Sequence, residues 1–211
     1  MQPIEQRLQA QLDHRKSINA FRTLPQPSAR IDFCSNDYLG FARDSAELFQ
    51  LSGAPTGATG SRLISGNAPA FERLERRLAH YFNAPAALLF NSGYSANIGL
   101  IACMATRHDT ILYDQLAHAS IREGLLLSPA RTYNFRHNDL VHLEERLRKA
   151  QGNRFVIVES VYSMDGDQAP LQEMVDLCQH YQAALVVDEA HGTGVYGKKG
   201  EGVVVKLGLE E

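Results

Sequence analysis

The sequence predicts an α/β protein of three layers, in which a mostly parallel sheet carries helices on both faces. Two observations support this prediction. From Pro69 onwards, short apolar runs alternate with longer segments whose apolar residues recur every three or four positions. In addition, the apolar run Ala183–Val187 leads directly into Asp188, as expected of a buried parallel strand that ends at a ligand-binding edge.

The first twenty residues are expected to form an amphipathic helix, because Ile4, Leu8, Leu12 and Phe21 lie roughly on one stripe. Such a helix docks on the main body or on a partner subunit. After two prolines, residues 31–34 read as a short strand. The next residues, 35–40, are rich in turn formers with hydrogen-bonding side chains.

The stretch 53–67 holds four glycines among threonines and serines. It suits either a flexible loop or an anion cradle built from backbone N–H groups. Pro69 then opens a helix at a position that favours proline, with an apolar stripe every three or four residues. Strands are expected at 87–90, 110–113, 131–135, 155–159 and 184–188, and helices at 94–104, 120–127, 140–150 and 171–181.

Composition excludes several classes of protein. With 44% hydrophobic and 21% charged residues, the 211-residue chain is typical of a globular domain, and its net charge of −3 without basic clusters gives no nucleic-acid signature. No apolar run is long enough to span a membrane, and the first residues do not resemble a signal peptide. Three distant cysteines read as buried thiols of a reducing compartment, so we expect a cytoplasmic protein without a metal site.

Polar residues follow several of the expected strands. Gly93 lies in a small-residue turn before a helix, where free N–H groups favour a phosphate, although a plain turn explains it equally well. His118 follows the next strand, where a flat ring could stack on a flat ligand. Asp188 and His191 follow the last strand, and a carboxylate there needs a positive or proton-donating partner. These groups are expected to converge on one rim.

Two other interpretations fail on spacing. The acids between Glu159 and Asp167 lack the alternating ligands of an EF-hand calcium loop. The segment 188–191 matches the acid box of DEAH-type helicases, but such a site also requires a glycine-rich loop with a lysine that reaches the phosphates. None of the five lysines, Lys16, Lys149, Lys198, Lys199 and Lys206, lies in that context.

Six segments in order along the chain resemble the α-oxoamine synthase family of fold-type I pyridoxal-phosphate (PLP) enzymes: 32–40, 59–67, 92–94, 118–120, 159–167 and 188–194. Among these segments, the sequence of 61–67 is most similar to that of the family member that acts in biotin biosynthesis. The resemblance implies a homodimer with active sites at the subunit interface. It also implies that residues 1–40 form an N-terminal helix and substrate-side segment, and 41–211 a PLP-binding large domain.

The resemblance assigns a role to each rim residue. Asp188 would pair with the pyridinium nitrogen, which makes the ring an electron sink. Cofactor contacts would come from His191 at the phenolic oxygen, His118 on the ring face, Ser163 at the polar edge, and Gly93 and Tyr94 around the phosphate. The catalytic set would be His118, Asp188 and His191. Arg22 would hold a substrate carboxylate, and Asn36 would line the same pocket.

The implied reaction is the condensation of an amino acid, expected to be L-alanine, with an acyl thioester, expected to be pimeloyl-CoA or its carrier-protein form, with loss of CO₂. Types that use glycine with acetyl-CoA, or that make 5-aminolevulinate, are open alternatives. The sequence departs from the family at one point, since no lysine has the context of the Schiff-base lysine. We therefore expect a chain truncated before that lysine and the C-terminal domain, inactive alone, with a lysine-less partner subunit as another alternative.

Overall fold

The computed structural model describes residues 3–24, 33–41 and 57–210, and the chain divides into two units, 1–35 and 36–211. In the first unit, helix α1 spans Ile4–Ser17 and buries none of its residues. Phe21 lies beyond the end of this helix, so only part of the expected stripe is helical. Of the strand expected at 31–34, residues 31 and 32 lie outside the described residues, and Phe33 and Cys34 form a bend.

The second unit is built on a parallel sheet of four strands in the order β2-β1-β3-β4. The strands are β1 (Thr110–Asp114), β2 (Arg131–Phe135), β3 (Arg154–Glu159) and β4 (Ala183–Asp188). The helices are α2 (Pro69–Tyr81), α3 (Gly93–Cys103), α4 (Ala119–Leu127), α5 (Leu140–Lys149), α6 (Leu171–His180) and α7 (Val203–Leu207). Apart from α7, which was not expected, these bounds agree with the sequence-based expectations to within one or two residues.

Each face of the sheet has its own core. One apolar cluster joins the strands to α5 and α6 through residues such as Phe135, Leu143 and Met174. The other joins them to α3 and α4, with Ile101 and Ile121 at its centre. Alternate residues of one strand serve opposite faces, since Val156 belongs to the first cluster and Ile157 to the second. The predicted three-layer α/β architecture is therefore confirmed.

The expected strand at 87–90 is wrong. Those residues form no strand, and Leu88 is 67% exposed. An apolar run becomes a strand only when another strand satisfies its N–H and C=O groups, and no described residue pairs with this run. Instead, the N–H of Leu89 donates to Glu75 Oε1 at 2.9 Å.

Over its described residues, 57–67, the glycine-rich stretch contains a hydrogen-bonded turn; residues 53–56 lie outside the description. Arg62–Gly66 form one π-helical turn in which the N–H groups of Ile64, Ser65 and Gly66 all donate to the carbonyl of Ser61. A side chain at Gly66 would overlap the carbonyl oxygen of Gly60, so glycine is required there.

Arg62 ties this turn to α2. Its guanidinium binds both oxygens of Glu75, at 2.5 and 3.0 Å, and also donates to Oδ1 of Asn67. The hydrogen bond from Arg62 and the N–H of Leu89 lower the pKa of Glu75 to about 2. The segment 59–67, one of those that carry the family resemblance, thus has a structural role within the chain.

The cysteines only partly match the expectation of buried thiols. Cys178 is buried, and its burial raises the pKa of the thiol to about 12. Cys34 and Cys103 are exposed; Cys34 lies in a bend, and Cys103 is the last residue of α3. Among the described residues, no helix has the length and apolarity needed to cross a membrane.

Candidate active site

The carboxyl ends of β1, β3 and β4 lie side by side, facing the start of α4 and the first turns of α3. Parallel pairing places Glu159, the last residue of β3, directly opposite Asp188, the last residue of β4. A parallel sheet brings all its carboxyl ends to one edge, which is where α/β proteins bind ligands. Residues that are far apart in the sequence therefore meet on this rim.

Asp188 is held by two neutral donors. The side-chain amide of Asn97, on α3, donates to Oδ2 at 2.7 Å, and the N–H of Ala190 donates to Oδ1 at 2.8 Å. No cation among the described residues forms an ion pair with Asp188. The carboxylate is thus oriented but not neutralised, and each oxygen keeps a lone pair for a further donor.

Asn97 extends this contact to His118. The same amide nitrogen donates to Ser120 Oγ at 3.0 Å, and Ser120 Oγ lies 2.8 Å from Nδ1 of His118. His118 is the N-cap of α4, where its Nδ1 accepts the N–H of Ser120. Two predicted site residues, the acid and the imidazole, are therefore joined in one hydrogen-bonded chain through Asn97 and Ser120.

The imidazole of His118 is exposed, while its backbone is anchored. Its N–H donates to Oε1 of Glu159 at 2.6 Å. The ring of Tyr94 meets the His118 ring edge-on, with 6.1 Å between the centroids. One face of the imidazole can therefore receive a flat ring without any rearrangement of the backbone.

Glu159 carries the most strongly perturbed carboxyl of the rim. It is 2% exposed, and burial raises its pKa to about 7, with a further contribution from the charge of Asp188. The N–H groups of His118 and Ser163 act in the opposite direction but do not outweigh burial. A carboxyl whose pKa is shifted by burial and by a neighbouring charge is common at functional sites.

His191 lies in the turn after β4 and contacts the segment around residue 38. The Tyr38 hydroxyl and Nδ1 of His191 are 2.6 Å apart. If the hydroxyl donates, Nε2 carries the proton of the neutral imidazole and remains available as a donor. Asn36 is exposed and lines a small pocket of about 150 Å³ together with Tyr38 and Thr193.

The start of α3 offers free backbone donors. Ser92 caps the helix by accepting the N–H of Ser95 at 3.0 Å. The N–H groups of Gly93 and Tyr94 have no acceptor among the described residues, and a Cβ at Gly93 would meet no atom within 4 Å. This arrangement leaves room and two amide donors for an anion at the positive end of the helix.

Ser163 is exposed in the turn after β3, and a partly buried histidine supports that turn. His137 places Nδ1 2.9 Å from Asp114 Oδ1 and Nε2 2.7 Å from Asp167 Oδ2, so it connects the end of β1 to the Ser163 turn. Tyr162 packs edge-on against its ring at 4.5 Å.

The predicted site residues fall into two groups. Asp188, His118, His191, Ser163, Gly93 and Tyr94 all lie at the carboxyl edge of the sheet or at the start of α3. Arg22 belongs to the first unit, where it is exposed beyond the end of α1. Asn36 lies in the second unit, in the pocket described above.

Sequence reasoning did not single out Asn97, Tyr38 or Glu159 as site residues. Tyr38 and Glu159 belong to segments quoted from the sequence, and Asn97 lies in an expected helix, but the role of each depends on which residues are its tertiary neighbours. The sequence did contain a signal for Glu159. It ends a predicted buried strand, as Asp188 does, and a buried carboxyl requires hydrogen-bonding or charged partners.

The donor set fits PLP. A carboxylate held only by neutral donors suits a cationic ring nitrogen, the exposed His118 ring suits a flat heterocycle, and the α3 amides suit a phosphate. No cluster of metal-ligating side chains occurs within residues 3–24, 33–41 and 57–210.

Comparison with known proteins agrees with this geometry. The family described as aminotransferase class I and II matches residues 28–210. The chain belongs to this family. It is 41% identical to the 8-amino-7-oxononanoate synthase of Chlorobaculum parvum over 99% of its length, and 42% identical to that of Marinobacter nauticus over 98%. The predicted resemblance to the α-oxoamine synthases, and to this member most of all, is confirmed.

Solved structures lead to the same family. The chain resembles the 8-amino-7-oxononanoate synthase of Francisella tularensis with a TM-score of 0.72, at 28% identity, over 86% of this chain and 51% of that one. It resembles a variant of the serine palmitoyltransferase of S. paucimobilis, solved with a bound PLP–myriocin aldimine, with a TM-score of 0.70, at 37% identity, over 73% of this chain and 39% of that one. The 211 residues span 54% to 60% of the length of the two curated relatives.

Proposed function

We propose that the complete protein is a PLP-dependent acyltransferase that condenses L-alanine with a pimeloyl thioester and releases CO₂, the reaction of an 8-amino-7-oxononanoate synthase in biotin biosynthesis. The observation that carries the proposal is the chain of hydrogen bonds from Asp188 through Asn97 and Ser120 to His118. It fixes an un-neutralised carboxylate in relation to an exposed imidazole. The names of the most similar relatives support the same activity.

When bound, PLP supplies an electron-withdrawing ring that stabilises negative charge on the substrate's α-carbon. Asp188 would hold the proton on the ring nitrogen, which keeps the ring strongly electron-withdrawing. His118 would cover one ring face, and His191 would donate Nε2–H to the phenolic oxygen. Ser163 would contact the polar edge of the ring. The amides of Gly93 and Tyr94 would bind the phosphate at the start of α3.

Arg22 and Asn36 are proposed to bind the substrates. A guanidinium holds a carboxylate through two parallel hydrogen bonds, so Arg22 would select a carboxylate-bearing substrate. Asn36 would line the pocket that the Tyr38 segment shares with the turn after His191. The acyl donor would be pimeloyl-CoA or its carrier-protein form, and the protein would act in the cytoplasm as a homodimer.

Activity of the complete gene product, including any reading frame beyond codon 211, tests this proposal. We expect CO₂ release that requires both L-alanine and pimeloyl-CoA, with 8-amino-7-oxononanoate identified by mass spectrometry. Turnover only with glycine and acetyl-CoA, or only with glycine and succinyl-CoA, would assign the protein to another α-oxoamine synthase type. A lysine-less partner subunit would be inactive alone and would act only when mixed with a lysine-bearing homologue.

The 211 residues alone are proposed to be inactive. Of the five lysines, none forms a described contact with Asp188, His118 or His191; Lys16, for example, pairs with Asp13, and Lys206 lies over the ring of Tyr196. Borohydride reduction with PLP, followed by peptide mass spectrometry, should therefore give no stoichiometric pyridoxyl adduct on a single lysine. Such an adduct, together with CO₂ release that depends on acyl-CoA, would overturn this part of the proposal.

A further inference from the structure

Two loops from different strands meet on one buried side chain. The Glu159 carboxyl receives the N–H of His118, from the segment after β1, at 2.6 Å. The backbone of Ser163, four residues beyond Glu159, lies close enough to the same carboxyl to lower its pKa. His118 and Ser163 are the two residues assigned to the face and to the polar edge of the cofactor ring, whereas Glu159 itself is 2% exposed.

We propose that Glu159 is a positioning residue. It fixes the backbones of His118 and Ser163 so that both side chains can contact the cofactor ring. This inference rests on the proposed PLP site. Glu159 acts through the two backbones and is not assigned any contact with the cofactor or the substrate. Its function is to set the distance between two loops that the sheet alone does not connect.

The energetics of the position support this role. A buried carboxyl destabilises a fold unless hydrogen bonds compensate for the loss of water. At Glu159 compensation is incomplete, because burial raises its pKa to about 7 despite two backbone donors. The acid also faces Asp188 across the β3–β4 pair, which adds repulsion. An apolar side chain would avoid this cost but could not accept the two N–H groups.

Asp109 provides a matched control at the opposite end of the sheet. It is 4% exposed and directly precedes β1, and it accepts the N–H groups of Thr106 and Asn153 at 2.8 and 2.9 Å. Hydrogen bonds to Thr106 lower the pKa of Asp109 to about 2. It is therefore a buried acid that anchors two backbones but lies at the amino ends of the strands, away from the rim.

The test compares Glu159→Gln with Asp109→Asn in two measurements. The first is amide hydrogen exchange of His118 and Ser163 by NMR without cofactor. The second is the PLP dissociation constant from fluorescence quenching, well below the unfolding temperature. Glutamine retains one acceptor oxygen but replaces the other with a donor. We expect the amide exchange of His118, Ser163 or both to accelerate roughly tenfold, as for one lost buried hydrogen bond. We expect the PLP dissociation constant to rise by a similar factor.

Asp109→Asn should lower the thermal midpoint and leave both measurements unchanged. Glu159→Asp, whose side chain is shorter but remains an acid, gives a second variant in case the glutamine variant does not fold; it should show the same two changes. Variants of Glu159 that lose thermal stability while both amide exchange rates and the PLP affinity stay at wild-type values would overturn the proposal.

A wild-type protein that binds no PLP would overturn the proposed cofactor site, and the role of Glu159 toward the cofactor with it. The exchange measurement does not use the cofactor. It would then show separately whether Glu159 anchors the two loops for a purely structural reason.

Discussion

The side-chain amide of Asn97 lies 2.7 Å from Asp188 Oδ2 and 3.0 Å from Ser120 Oγ, so one nitrogen uses both of its protons to link β4 to the start of α4. The amide can donate to both partners only in one orientation. Asn97 therefore fixes the direction of the Asp188 carboxylate relative to the loop that carries His118.

Substitution of Asn97 separates orientation from charge. Asn97→Ala should leave Asp188 charged but free to rotate, and we expect the PLP dissociation constant to rise roughly tenfold, as for one lost hydrogen bond to a charged group. Asn97→Asp should weaken binding further, because two carboxylates would then meet without a cation. The control is Asn134→Ala, at an exposed position of β2. Equal PLP affinity of wild type and Asn97→Asp would show that this contact has no bearing on the cofactor.

The two aspartates around His137 predict a pH-dependent stability. Burial alone would lower the pKa of His137, but its hydrogen bonds to Asp114 and Asp167 outweigh burial and raise the pKa above its ordinary value. A raised pKa in the folded protein means that the protonated imidazole stabilises the fold. This contribution is complete below the pKa of the unfolded state, about 6.5, and is lost as pH rises through the folded-state pKa.

Thermal unfolding from pH 5.5 to 9 checks this prediction. The difference in thermal midpoint between wild type and His137→Asn should be largest at the acid end and should shrink as the pH rises. Taking the difference removes the contributions of other titrating groups such as Glu159. His14→Gln, at an exposed position of α1, is the control and should show no such trend. A difference that is constant or grows with pH would contradict the assigned protonation.

Arg22 provides a test of substrate recognition. If its guanidinium receives a carboxylate, Arg22→Ala in the complete enzyme should raise KM for the carboxylate-bearing substrate by about ten- to a hundredfold, since a hydrogen bond to a charged group contributes about 1.5–3 kcal/mol. The value of kcat should change much less. Arg7→Ala, on the exposed surface of α1, is the matched control. An unchanged KM in a destabilised protein would assign Arg22 a structural role.

Local patterns in the sequence were sufficient for most of the second unit. The sheet from β1 to β4 and its helices follow from apolar periodicity, which each segment carries within itself. Residues 87–90 carry the same apolar signal yet form no strand, because a strand also depends on a partner from elsewhere. The helix α1 is present as predicted. Its predicted apolar stripe is only partly helical, because Phe21 lies beyond the end of the helix.

The candidate site was predictable only in part for the same reason. Asp188 and His118 stand out because they directly follow buried strands or precede a helix. Asn97 and Tyr38 do not stand out, since the contact of each depends on tertiary neighbours 91 and 153 residues away in sequence. Glu159 was visible only as the first residue of a motif. Its importance emerges from the strand register that places it opposite Asp188.

The most direct test of the whole account is the Asp188→Asn variant of the complete, lysine-containing enzyme, measured for both turnover and PLP content. Asparagine keeps the size of the side chain but cannot hold a proton on a ring nitrogen, so the account predicts that kcat falls by at least roughly a hundredfold, the usual consequence of removing a group that stabilises developing charge. The contacts at the start of α3 should still retain the cofactor. Turnover within a factor of a few of wild type would contradict the assignment of Asp188 and, with it, the proposed site.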